Sequence, residues 1–130
     1  MDVAYLDALH LVALTGSILG HEPQVRDVGL LESALARPRT TVMGTDAYPT
    51  LDLKAAALLD SVVNNYAFVD GNKRAGLVAV FVFYRLNGVD FDAPHEPLYE
   101  LILSVADGSL RDVEKIAEAL GSWCRPAGAC

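Results

Sequence analysis

Five consecutive residues hold the densest chemistry in this chain: Asp70-Gly71-Asn72-Lys73-Arg74, an acid, a glycine, an amide and two cations. They stand directly before a long apolar stretch that reads as a helix. A helix N-terminus carries unpaired N–H groups and partial positive charge, so it holds anions. Gly71 lets the backbone come close to a phosphate or take a positive φ. Lys73 and Arg74 add full charges, and a guanidinium can grip two phosphate oxygens at once. A carboxylate such as Asp70 repels a phosphate unless a divalent cation, Mg²⁺, bridges the two. Read this way, the segment handles phosphate and metal. The same residues also suit an ordinary Asp-Gly-Asn turn followed by surface charge on a first helical turn, and the segment lacks the length of a phosphate-binding P-loop. Spacing alone leaves both readings open.

The elements that must position this segment are helices. Apolar residues at helical spacing predict a helix through Tyr5, Leu6, Leu9, Val12 and Ala13, ended by Gly16, Gly20 and Pro23. Asp27 is the expected N-cap of a helix over 28–37, with Leu30, Leu31, Ala34 and Leu35 on one face and Pro38 as its stop. Residues 39–50, rich in Thr, Gly and Pro, read as a loop. Two segments that are apolar on nearly all sides follow, 51–65 and 73–86, and such helices belong in the middle of a domain. The length of the second favours helix over strand despite its β-branched and aromatic content. Asn87-Gly88 suits an αL stop. Leu98, Leu101, Ile102 and Val105 mark a fifth helix, and Val113, Ile116, Ala117 and Leu120 a sixth, with Ser109 as the expected cap of the last. The sum is an all-α, compact six-helix domain over 1–123, in which two central buried helices flank the loop, with a flexible C-terminal tail over 124–130.

Bulk properties narrow the function classes. A chain of 130 residues that is 52% hydrophobic suits one domain with a substantial core. A formal net charge of −7 argues against a direct nucleic-acid binder. No run of 18 apolar residues exists to cross a membrane, and the acidic, amphipathic start lacks the basic region of a secretory signal, so the expected location is cytoplasmic. Cys124 and Cys130 show neither metal-ligand nor disulfide-framework spacing.

The stretch Tyr66-Ala67-Phe68-Val69-Asp70-Gly71-Asn72-Lys73-Arg74 resembles the signature of the Fic/Doc family: a histidine, any residue, Phe, two residues, Gly or Ala, Asn, then Lys-Arg in the Doc branch. The likeness extends to Asp27 through Pro38 upstream and Phe81 through Gly88 downstream, and covers roughly 1–120. It implies an all-α fold and transfer of a phosphate-containing group from a nucleotide to a protein hydroxyl. A glycine after the asparagine goes with AMP transfer in this family, whereas Lys73 occupies that position here, as in the Doc branch. Members of that branch resemble kinases of a toxin–antitoxin pair: they use ATP and Mg²⁺ and phosphorylate a threonine of elongation factor Tu to block translation. An antitoxin neutralises them through a disordered, amphipathic C-terminal segment that folds on binding. The implied roles are Asp70 on Mg²⁺, Asn72 and the Gly71 amide on phosphate oxygens, and Lys73 and Arg74 neutralising developing charge. Phe68 is read as the core plug that anchors the loop.

One position departs from the signature. The family's histidine is a general base that takes the proton of the attacking hydroxyl, and Tyr66 stands in its place. A phenol, with an ordinary pKa near ~10, is a poor base at neutral pH. Loss of a general base commonly costs roughly 10²–10⁴-fold, so the chain is expected to be inactive or strongly attenuated. Tyr66 then reads as an engineered change that allows a toxic protein to be produced, or as a natural change that leaves a binding-only relative. A substitute base is the third reading. Its candidates are Asp70, which the metal requires, and His10 and His21, both distant in sequence. His10, His21 and His95 read as surface or satisfied core residues.

Overall fold

The computed structural model describes residues 2–126. Six helices run in the order α1 (Ala8–Leu19), α2 (Val28–Ala36), α3 (Leu51–Asn64), α4 (Asn72–Leu86), α5 (His95–Asp107) and α6 (Val113–Gly121). Short strands fill three connections: β1 (Thr41–Val42) and β2 (Thr45–Asp46) between α2 and α3, β3 (Val89–Phe91) after α4, and β4 (Cys124–Pro126) after α6. The all-α expectation holds. None of the helices is long and apolar enough to cross a membrane.

The centre is α3 against α4, with α6 also packed on α3. Small residues make the α3–α4 contact close. A Cβ added to Gly76 of α4 would lie 2.6 Å from Val63 Cγ2 and 3.2 Å from Leu59 Cδ1 of α3. Around this seam Ala55, Ala56, Leu58, Leu59, Val62, Ala75, Ala79, Val80 and Phe83 are removed from solvent, which is where most of the favourable burial energy arises. Helix α3 also carries polar tethers outward. Ser61 Oγ donates to Ala34 O at 2.8 Å, which ties α3 to α2. The buried Lys54 ammonium lies 3.3 Å from Pro38 O and 3.3 Å from Asp46 Oδ2, so a full charge is satisfied by the segment entering α3.

The structure corrects four local readings. First, α1 continues through Gly16 to Leu19. Gly16 is tolerated mid-helix because its bare Cα faces Pro23, whose Cδ would sit 3.2 Å from a Cβ there. Second, the expected loop 39–50 contains the β1–β2 hairpin, paired Thr41 to Asp46 and Val42 to Thr45. Third, the cap of α6 is Asp112, whose carboxylate accepts from Glu114 N at 2.9 Å, while Ser109 Oγ donates to Ser104 O. Fourth, the expected tail begins with an ordered strand: β4 pairs antiparallel with β3, Phe91 opposite Cys124. Trp123 packs edge-on against Phe91, and Arg125 bonds Asp92. Burial, with the Asp52 charge nearby, pushes the Cys124 thiol pKa up. Residues 127–130, including Cys130, lie outside the described residues.

Candidate active site

The loop between α3 and α4 is the place where the two central helices meet. Helix α3 ends at Asn64, and the chain then turns through Tyr66 with φ +53°. That left-handed backbone is uncommon for a residue with a side chain and costs of order 1–3 kcal/mol. Arg26 holds the turn by donating from Nε to Tyr66 O at 2.8 Å. The next residues run antiparallel to the segment before α2. Arg26 N donates to Ala67 O at 2.7 Å, Val69 N to Gln24 O at 2.9 Å, and Val25 forms a bridge with Phe68. Phe68 is 1% exposed, so its ring fixes the loop to the core.

The loop closes with a side-chain clamp. Asn72, the first residue of α4, accepts from Phe68 N at 3.1 Å and donates from Nδ2 to Phe68 O at 3.0 Å. Its amide therefore shapes the loop, with one Nδ2 proton left over. Gly71, with φ +83°, is the N-cap position of α4, and no side chain caps that helix. Its first-turn N–H groups are left without a side-chain acceptor. A Cβ at Gly71 would meet Leu19 Cδ1 at 3.2 Å, so α1 presses against the loop where only glycine fits comfortably.

These features border one cleft of about 610 Å³, lined by Tyr66, Asp70, Gly71, Asn72, Lys73 and Arg74 together with Leu19, Val63, Val69, Ala106 and His21. Six of the seven residues singled out from the sequence thus converge on one space, and the seventh, Phe68, lies buried beside it. Tyr66 is 56% exposed. Lys73 and Arg74 are exposed, and neither is ion-paired among the described residues. Their charges add to the positive end of α4, so the floor of the cleft attracts anions. Asp70 points back on itself, with Oδ1 accepting from Gly71 N at 2.8 Å.

A phosphate–Mg²⁺ ligand fits this donor set. No group of three or more His, Cys, Asp or Glu residues able to hold a metal exists among the described residues. Mg²⁺, however, commonly sits between one or two carboxylates and substrate phosphates, with water completing its shell. Asp70 supplies the single carboxylate that arrangement needs, beside the cations that phosphate needs.

His21 was not legible as a cleft residue. It leaves α1 just after the αL stop at Gly20 and reaches the loop only because residues 24 and 25 bond to residues 69 and 68. No local pattern marks it. His10 lies at the other end of α1, where its Nδ1 is 3.5 Å from Asp7, and His95 begins α5.

Residues 1–84, which contain α1 to most of α4 and therefore the whole loop, match the family model described as Fic/DOC family. The chain is also 42% identical over 127 residues to Toxin Doc of Mycolicibacterium smegmatis (strain ATCC 700084 / mc(2)155), covering 95% of this chain and 95% of that protein. With the loop at the start of a central helix, and a match that spans it, the chain belongs to the Fic/Doc family.

Proposed function

We propose that this chain is the toxin of a toxin–antitoxin pair, a protein kinase that transfers the γ-phosphoryl group of ATP to a threonine hydroxyl of elongation factor Tu and so blocks translation in the bacterial cytoplasm. The observation that carries this reading is the convergence of Asp70, Gly71, Lys73 and Arg74 on one cleft at an uncapped helix N-terminus. The likeness to Toxin Doc across 95% of both chains supports the toxin class. Lys73, rather than glycine after the asparagine, favours phosphoryl over AMP transfer.

Bound ATP with Mg²⁺ would supply the phosphoryl group and a neutralised leaving group. The residues of the chain do the remaining work. First-turn amides of α4, Lys73 and Arg74 bind phosphate oxygens and balance the charge that grows in the transition state. Asp70 would hold the metal. Asn72 keeps the loop shut through Phe68, so the amides stay in place without reorganising. Tyr66, at the position of the family's base, can donate a hydrogen bond but takes up a proton poorly, which attenuates transfer.

The test places the chain and its Tyr66→His variant with elongation factor Tu, Mg²⁺ and labelled ATP. The expected result is γ-label on the factor, with the variant faster by roughly 10²–10⁴-fold. Label arriving from the α-position instead would replace the kinase reading with AMP transfer, and no transfer from Tyr66→His would end both.

A second role is carried by a separate observation. An apolar groove of about 610 Å³ runs between α1, α4 and the start of α5, lined by Leu14, Ile18, Leu77, Phe81, Val82 and Leu98. Ile18 and Phe81 are 58% and 47% exposed, unusually open for residues of their size. This groove suits the amphipathic C-terminal segment of an antitoxin, laid down as a helix. It supports a chain that is neutralised by its partner whether or not it transfers phosphate.

A further inference from the structure

A cleft built for group transfer needs a proton acceptor for the attacking hydroxyl, and the usual one is missing at Tyr66. The side chains that line the cleft divide simply. Lys73 and Arg74 are cations with no lone pair to offer. Tyr66 is a phenol. Asn72 is held by Phe68. Asp70 accepts from Gly71 N and is the single carboxylate for a metal. The remaining group with basic character is the His21 imidazole. We infer that His21 is the general base of this chain, a reading that rests on the phosphoryl-transfer function proposed above.

Three observations carry it. The first is placement. His21 lines the same cleft as Tyr66 and Asp70 through Arg74. Leu19, two residues earlier, approaches Gly71. Gln24, three residues later, accepts from Val69 N at 2.9 Å. The second is restraint. Gly20 N donates to Gly16 O at 2.9 Å with φ +82°, and Pro23 packs over Gly16, so the turn carrying His21 is fixed at both ends. The third is tautomer. His21 Nδ1 lies 3.2 Å from Glu22 O. A carbonyl only accepts, so Nδ1 carries the proton and Nε2 keeps its lone pair. An unprotonated imidazole nitrogen can take the proton of a hydroxyl.

The step balances without another reactant. The O–H bond of the target hydroxyl breaks, and its proton passes to Nε2 of His21. The oxygen forms a bond to the γ-phosphorus while the bond from that phosphorus to the bridging oxygen breaks, and a nucleoside diphosphate leaves. The imidazolium then returns its proton to water.

The experiment compares the chain with His21→Gln, Tyr66→His and the double variant, using γ-labelled ATP, Mg²⁺ and elongation factor Tu. His21 is exposed, so its replacement should leave the fold intact, checked by circular dichroism. The expected result is measurable transfer by the chain. His21→Gln should lower kcat by roughly 10²-fold or more and leave ATP affinity within a few-fold. Adding Tyr66→His to His21→Gln should restore transfer. An imidazole nitrogen spectrum of the chain should show Nδ1 protonated and the Nε2 signal moving when Mg²⁺ and ATP are added. Transfer by His21→Gln at the rate of the chain overturns the inference. So does a chain that transfers nothing while Tyr66→His is active, and so does an Nε2-protonated tautomer. If Tyr66→His is also silent, the kinase reading itself fails and takes this inference with it.

Discussion

Helices α3 and α4 are neighbours of similar length and similarly apolar character, yet they begin in opposite ways. Thr50 caps α3: its hydroxyl accepts from Leu53 N at 3.1 Å, Asp52 adds negative charge in the first turn, and the buried Lys54 is tied down by Pro38 and Asp46. Every device there satisfies the helix from within the chain. Helix α4 starts on Gly71 with no side-chain cap and with Lys73 and Arg74 in its first turn, the sign that the helix dipole disfavours. An isolated helix would be weakened by that choice. The difference separates a helix start satisfied within the chain from one left open at its N-terminus. The stability that α4 lacks locally is supplied by the loop before it, through Phe68, the Asn72 clamp and the bonds to residues 24–26.

That contrast can be broken from either side. The largest expected effect is at the anchor. Phe68→Ala should destabilise the fold by about 3–5 kcal/mol, the usual cost of truncating a fully buried aromatic, read as a lower denaturant midpoint. It should also abolish nucleotide binding, since the start of α4 loses its support. Asn72→Ala removes both bonds to the Phe68 backbone and should cost about 1–3 kcal/mol. Its sharper signature is functional: ATP affinity, measured by calorimetry, should fall further than the modest stability loss accounts for. Thr50→Ala is the control at the other helix. It should cost about 1 kcal/mol, as a lost cap does, while ATP affinity stays within a few-fold. Equal losses of ATP affinity in Asn72→Ala and Thr50→Ala would erase the distinction between the two starts.

Much of this molecule is written locally. The six helices follow from apolar periodicity, and the caps at Asp27 and the stops at Gly20, Asn87 and Gly108 are short-range hydrogen-bond chemistry that sequence displays. The segment 70–74 is likewise legible, because charge, glycine and helix start are contiguous. Local pattern misleads where a distant partner decides. Gly16 looked like a stop and is a packing surface for Pro23. Residues 39–50 read as a loop, and Lys54 and Arg37 tether them into a hairpin and a turn, Arg37 Nε reaching Tyr48 at 3.0 Å. Residue 124 looked like the start of a tail and pairs with Phe91.

The helix count, the two central helices and the charged loop between them follow from the sequence alone, because those depend on neighbours within a few residues. Only the tertiary structure decided what surrounds that loop. Asn72 turned inward to hold Phe68, and His21 crossed from the end of α1 to stand in the cleft with Tyr66. The clamp spans four residues, whereas the place of His21 depends on backbone pairing of residues 24–26 with 67–69, and such pairing leaves no periodic or local mark on the residues that make it.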